Sequence, residues 1–417
     1  MNFLVINIKE LIQAEPKARL KVCGKQMSKL PIIKDAFLYV EGGRIMDFGP
    51  MEDMNLKRER YFSMSNKIID ATGKYVLPTW CDSHSHIVYA GSREKEFVDK
   101  IKGLSYEDIA KRGGGILNSA KLIQKTSEEE LFEQSMGRLN EVIKLGTGAI
   151  EIKSGYGLNT ESELKMLRVI RKMKEESRVK IKSTFLGAHA IPVEFKEDHE
   201  GYIDLLINEM IPVVAGEELA DYIDVFCDKG FFTPEQTERI LMAGIKHGLR
   251  PKIHANELAL SGGIQVGVKY GALSVDHIEY TGDEEIACLL DSDTMPTILP
   301  GAAFFLNMPL APARKMIDAG LPVALASDYN PGSSPSGNMN LIMSMGCINY
   351  KMLPEEVIHA VTINSAYAMG VSEQLGTISI GKAASFIITK PISSIEFIPY
   401  SFGNNVIESV YLQGKLQ

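Results

Sequence analysis

The chain has 417 residues, 45% of them hydrophobic, with 36 Gly and 18 Pro, which gives apolar material for a large buried core and rules out a disordered, collagen-like or low-complexity chain. With 45 Lys and Arg against 53 Asp and Glu, the formal net charge is −8, which argues against a surface that grips nucleic acid or anionic lipid; the short basic run Lys57 to Arg60 reads as a solvated face. Five cysteines without a C-x-x-C pair suit reduced thiols in a cytoplasmic protein, and no uncharged apolar run approaches the ~20 residues that a bilayer span needs.

Residues 1–78 read as short strands at 3–6, 36–40, 44–48, 67–70 and 74–77, with a turn at Glu41-Gly42-Gly43. The middle alternates apolar strand-like runs, at 76–81, 149–152, 181–186, 223–226, 251–254, 273–276, 295–299 and 323–326, with amphipathic stretches at 128–144, 161–176, 202–214, 234–247, 262–270 and 313–319. Eight such units predict an α/β fold, a (β/α)8 TIM barrel over 79–370, whose site lies past the C-terminal ends of the strands. The long connection 87–148, which holds Gly113-Gly114-Gly115, reads as a lid. Beyond it, 376–380, 384–389 and 406–412 are again β-rich, so 1–78 plus 371–417 are expected to form a small β-sandwich-like domain built from both chain ends.

Five of the eight histidines fall at predicted strand ends: His84 and His86 after the first strand, His189 after the third, His254 at the end of the fifth and His277 after the sixth. The other three, His199, His247 and His359, have ordinary surface or helix readings. In Asp82-Ser83-His84-Ser85-His86 the period of two puts both imidazoles on one side of an extended chain, where they can hold one ion. His254 and Asp328, which follows the apolar run at 323–327, complete a set of three neutral nitrogens and a carboxylate. An ion so held leaves room for a water and lowers its pKa from ~16 towards ~7, which is hydrolytic chemistry.

Glu257, three residues past His254, could shuttle a proton, or merely compensate a helix N-terminus; His277 could steady the water and the reacting carbonyl, or be a hydrogen-bonded barrel residue. Gly332 to Gly337 does not spell a G-x-S-x-G elbow and there is no Walker motif, so covalent serine and nucleotide chemistries lack support. Lys153 and Lys229 could in principle be carboxylated to bridge two metals, but neither sits tightly enough after the fourth strand, which favours one metal.

These features resemble the amidohydrolase superfamily. Within it, the strings around His84 to Arg93, Gly113 to Ile116, Glu151-Ile152-Lys153-Ser154-Gly155-Tyr156-Gly157, Phe185 to Ala190, His254 to Glu257 and Ser327 to Ser333 are similar to the branch that hydrolyses 4-imidazolone-5-propanoate to N-formimino-L-glutamate in histidine degradation, over nearly the whole chain. Ser85, where that branch more often has Thr, and Tyr329 are departures. The resemblance implies one zinc or iron ion on His84, His86, His254 and Asp328, with Glu257, His277 and Asp328 catalytic. It implies a substrate seat of Arg93 on the propionate, Tyr156, His189, Glu257, Asn330, Gly332 and Ser333, and a homodimer. A deaminase of a cyclic amidine or purine, or a noncatalytic barrel homologue, are the competing readings.

Overall fold

The computed structural model describes residues 2–56, 58–104 and 114–417. Lys57 of the basic run, Gly113 of the glycine string and part of the expected lid lie outside the described residues. One sheet consists of eight parallel strands in sequential order: β1 (Trp80–Asp82), β2 (Thr147–Lys153), β3 (Lys180–Ala188), β4 (Tyr222–Cys227), β5 (Arg250–Ala255), β6 (Ser274–His277), β7 (Met295–Ile298) and β8 (Ala324–Leu325). Crossover helices cover its outside, as a parallel sheet buried on both faces requires. Their starts are set by side-chain caps: Ser127 accepts from Glu130 N, Asn159 from Ser162 N, and Thr233 forms a reciprocal pair with Gln236.

The expected helix at 202–214 is three pieces, His199–Leu205, a π turn at Leu206–Met210, and Ile211–Gly216. Pro212 lacks an N–H and crowds the carbonyl one turn back, and the wider π turn accommodates it.

The barrel closes just beyond the short ends of β1 and β8. Asp328 N donates to His84 O (2.9 Å), His86 N donates to Tyr329 O (2.9 Å), and Ser85 bridges Tyr329 in parallel. Below them Asp82 Oδ1 accepts from Ser327 N (2.9 Å). The backbone that closes the barrel is therefore the backbone that carries three of the four expected metal ligands.

The second sheet joins both chain ends. Its order is Lys415–Leu416, Ile407–Leu412, Phe386–Thr389, Tyr75–Pro78, Phe3–Ile12, Ile32–Glu41 and Arg44–Pro50, with Lys67–Asp70 pairing parallel to the start of Phe3–Ile12. Two sequence expectations are corrected here. The run 76–81 is not one strand: Val76 and Leu77 pair with Ile388 and Ile387 in the end sheet, whereas Cys81 pairs with Ala149 in the barrel. Pro78 still pairs with Phe386 and Thr79 N donates to Ser385 O (3.3 Å), after which the chain leaves the end sheet and enters the barrel at Trp80. Nor is 376–380 a strand; Ile378 makes a single bridge to Ala14, and Gly376 takes φ 85°.

His359 lies on a helix, Pro354–His359, as read from the sequence, but is buried and not at the surface. It accepts from Gln13 Nε2 at Nδ1 (2.7 Å) and donates from Nε2 to Lys29 O (3.2 Å), fastening the N-terminal segment to the barrel.

Trp80 follows the break and is fully buried, with its indole N–H donating to Leu145 O (3.0 Å). Trp80→Ala leaves a cavity at the junction of the two sheets and takes one of its two donors from Leu145 O, which keeps Asn340 Nδ2 (3.3 Å), so it is expected to cost about 3–5 kcal/mol of unfolding free energy. Because Trp80 is the sole tryptophan, the loss is read by circular dichroism in urea rather than by its fluorescence. A loss under about 1 kcal/mol would contradict the packing described.

Candidate metal centre

At the C-terminal end of the barrel the side chains of His84, His86, His254, His277 and Asp328 converge, all of them buried. His84 Nε2 and His86 Nε2 are 3.2 Å apart, and Asp328 Oδ1 lies 3.5 Å from each. The rings of His84 and His254 have centroids 4.4 Å apart. Two groups of mutually close ligand atoms result, His84 with His86 and His254, and His84 with His277 and Asp328. The four expected ligands are thus brought together, with His277 beside them.

The protonation of this cluster fits a cation. His84 Nδ1 faces Asp276 Oδ2 at 2.7 Å, which places its proton on Nδ1 and turns the Nε2 lone pair to the centre. Asp224 Oδ2 lies 3.0 Å from His254 Nδ1, and among the described residues His254 Nε2 has no hydrogen-bond partner. Burial, Lys153 and the other imidazoles hold His84 well below the usual histidine range, and burial with His189 and His254 does the same for His86, so both stay neutral. On the acidic side, burial pushes Asp328 up to about 7. Burial with Asp328 and Asp228 pushes Glu257 up to about 8, and buried Glu279, its Oε2 3.9 Å from His277 Nδ1, is driven up by burial and Glu257. Neutral nitrogens and crowded carboxylates in a dry pocket need the positive charge that an ion would bring.

Beneath the ligands lies a fully buried ionic layer. Lys153 Nζ is 2.6 Å from Glu151 Oε1, 2.7 Å from Asp224 Oδ2 and 3.6 Å from Asp276 Oδ2. Lys252 Nζ pairs with Glu151 Oε2 and donates to Ser83 O (3.1 Å) and Ala368 O (3.2 Å). Although burial opposes it, Asp224, Glu151 and Asp276 raise the Lys153 ammonium above its ordinary range, which leaves no neutral amine to carboxylate. The sequence reading missed Asp224 and Asp276. Their signal was available, since a charged residue inside an apolar parallel-strand run is costly unless partnered.

The loops above are built from the strings noted in the sequence. Gly155 takes φ 106°, and its carbonyl accepts from His189 Nδ1 (3.1 Å); a Cβ there would press on His189. His189 therefore presents Nε2 as an acceptor, and burial with His254 pushes it down to about 3, so it is neutral. Buried Glu163 collects the N–H groups of Gly155, Gly157 and Leu158, which shapes the turn carrying Tyr156. Tyr156 lies with its ring 5.7 Å from that of His86. Asp228, also missed, accepts from Glu257 N (2.7 Å) and Leu258 N (2.8 Å) and so fixes the catalytic candidate Glu257. Asn256, His277, Ile278 and Asp328 all have left-handed φ, between 52° and 79°; for buried, β-branched Ile278 this is strained backbone at the site.

Asn330 spends its amide on the loop itself, donating to Asp328 O (2.6 Å) and Ser333 Oγ (2.7 Å) and accepting from Gly332 N (2.7 Å) and Ser333 N (2.8 Å). These residues brace Asp328, and the two N–H groups are already engaged. Arg93 lines a cavity of about 820 Å³ that also reaches His86, His189, His254, Glu257 and Asp328. Its Nε donates to Glu96 Oε2 (2.8 Å), and Gly332 lies so close to its guanidinium that a Cβ would collide with Nη1.

Comparison with known proteins follows the same lines. Residues 237–416 match the amidohydrolase family. The imidazolonepropionase of Christiangramia forsetii is 58% identical over 416 residues, covering all of both chains. Among solved structures, Escherichia coli guanine deaminase superposes with a TM-score of 0.75 at 14% identity, over 100% of this chain and 99% of that one. A zinc-bound adenosine deaminase from Xanthomonas campestris gives 0.71 at 14% identity, over 99% and 92%. Those two share the fold; the full-length identity goes further, and the chain belongs to the imidazolonepropionases of the amidohydrolase family.

Proposed function

We propose that the protein hydrolyses the ring C–N bond of 4-imidazolone-5-propanoate to N-formimino-L-glutamate, with one zinc or iron ion held by His84, His86, His254 and Asp328. The observation that carries this reading is one cavity lined both by the convergent His and Asp cluster and by the guanidinium of Arg93. That is the polarity of a substrate with a hydrolysable ring carbonyl and a carboxylate tail. A nucleobase has no carboxylate for Arg93, which disfavours a purine deaminase, and the complete ligand set disfavours a noncatalytic barrel. Three imidazoles and a carboxylate accept either zinc or iron. The five unbridged thiols are in keeping with a cytoplasmic setting.

When bound, the ion acidifies water and draws electron density from the ring carbonyl. The chain's own groups do the rest. His189 accepts the ring N–H at Nε2 and Tyr156 flanks the ring, while Arg93 fixes the propionate, so that the carbonyl faces the cluster. Glu257 takes a proton from water as its oxygen bonds to the carbonyl carbon, and gives that proton to the ring nitrogen as the C–N bond breaks. Burial and the neighbouring carboxylates raise the Glu257 carboxyl above the usual range, so once it has taken the proton it holds it more readily than an exposed glutamate would. His277, 3.7 Å from Glu257 Oε2 at Nδ1, steadies the same carboxyl and the oxyanion.

Glu257→Gln keeps the shape but cannot carry the proton, and is expected to lower kcat by about 10² to 10⁴ with metal content unchanged, in a spectroscopic assay of imidazolone loss. Arg93→Ala is expected to raise KM at least about tenfold with kcat little altered; an unchanged KM would remove Arg93 from the seat. Metal removal gives a pH test. Asp328 and Glu257 have raised pKa values, so in chelated protein their contribution to stability is full below the ordinary carboxylate range and is lost as pH rises through about 7 and 8. The neutral histidines add no further slope above about pH 6.5. The melting temperature of chelated protein should therefore fall from about pH 6.5 to 8, and added Zn²⁺ should raise it more at the higher pH; a metal increment that shrinks with pH would contradict the assignment.

A further inference from the structure

Arg93 does not bring a free positive charge to the cavity. Glu96, which is buried, accepts from its Nε at 2.8 Å and also from Gly115 N (3.1 Å) and Asn118 Nδ2 (3.3 Å), so that the glycine string and helix Ile116–Lys125 pin the pair in place. Arg93 with Glu96 sums to about zero charge, and an anionic tail brought there would meet little net field.

Lys100 lies on the same helix, Glu94–Ile101, one turn past Glu96, and lines the same cavity. Its Nζ sits 3.4 Å from Gly332 O, on the residue that packs against the Arg93 guanidinium, and 5.9 Å from the centroid of Phe305. Among the described residues no carboxylate lies within ion-pair distance of it. It is half-buried, and burial and Arg93 both weigh against its charge, opposed by Glu96. A desolvated ammonium beside a neutralised arginine is costly unless something anionic joins them. The other lysine on the cavity, Lys229, is exposed and already solvated.

We propose that Lys100 is a specificity-determining residue that, together with Arg93, seats the propionate carboxylate of the substrate and restores the positive charge that Glu96 removes. This rests on the reading above that Arg93 receives the carboxylate. Arg93 then supplies directional N–H donors and Lys100 the net charge.

The test is steady-state kinetics of the metal-loaded enzyme, wild type against Lys100→Met, Lys100→Gln, Lys100→Arg and Lys229→Met, on 4-imidazolone-5-propanoate and on its side-chain amide, with circular dichroism melts to select folded variants. Lys100→Met and Lys100→Gln are expected to raise KM for the acid about 10- to 100-fold with kcat within about threefold, while Lys100→Arg recovers most of the loss. For the uncharged amide, the wild type and the Met variant should have KM values within about threefold of each other. An unchanged KM for the acid, an equal rise for the amide, a loss confined to kcat, or an effect confined to Lys229→Met would each overturn the proposal. Wild-type protein that fails to turn over the acid would instead defeat the functional reading on which it rests.

Discussion

The buried layer of Glu151, Lys153, Asp224, Lys252 and Asp276 is the constraint around which the rest of the molecule is arranged. These five fully buried charges come from β2, β4, β5 and β6 and fill the barrel interior where most such barrels place apolar side chains. Desolvating them is expensive, and the cost is offset only while every partner stays in position. The carboxylates that pair with Lys153 also hold the imidazoles: Asp276 backs His84 and Asp224 backs His254. The geometry of the expected metal ligands is thus coupled to the register of the strands.

A second coupling runs through the closure of the barrel. β1 and β8 are short, and the hydrogen bonds that join them lie between His84 and Asp328 and between His86 and Tyr329. The chain enters β1 from the end sheet through Pro78 and Trp80, and residues after β8 return to that sheet at Phe386–Thr389. The end sheet therefore anchors both sides of the seam on which the ligands sit. Above the seam, Asn330 braces Asp328, Asp228 braces Glu257 and Glu163 shapes the turn of Tyr156, so each substrate-facing group has its own internal support.

Much of this was legible in the sequence. The apolar runs located the barrel strands, the first of them only at its start, and the amphipathic period located helices such as Glu128–Lys144, because both patterns are set by burial. His84-Ser85-His86, His254 and Asp328 were legible because few other patterns put neutral nitrogens and a carboxylate at the ends of the first, fifth and eighth strands of one barrel. What escaped were residues whose role depends on partners distant in the chain. Asp276 is 192 positions from His84, and nothing local to either announces the bond. Lys100 sits in an ordinary amphipathic helix and acquires meaning only when Gly332 is folded against it. The split after Pro78 was hidden because 76–81 is a continuous apolar run whose two halves serve different sheets.

The central claim is that His84, His86, His254 and Asp328 enclose one ion in this chain. A crystal structure with anomalous data collected across the zinc and iron absorption edges tests it most directly. A single anomalous peak per chain is expected at about 2.0–2.2 Å from one nitrogen of each of the three histidines and from an Asp328 oxygen. A peak absent from protein prepared with added metal, or one seated on other residues, would contradict it.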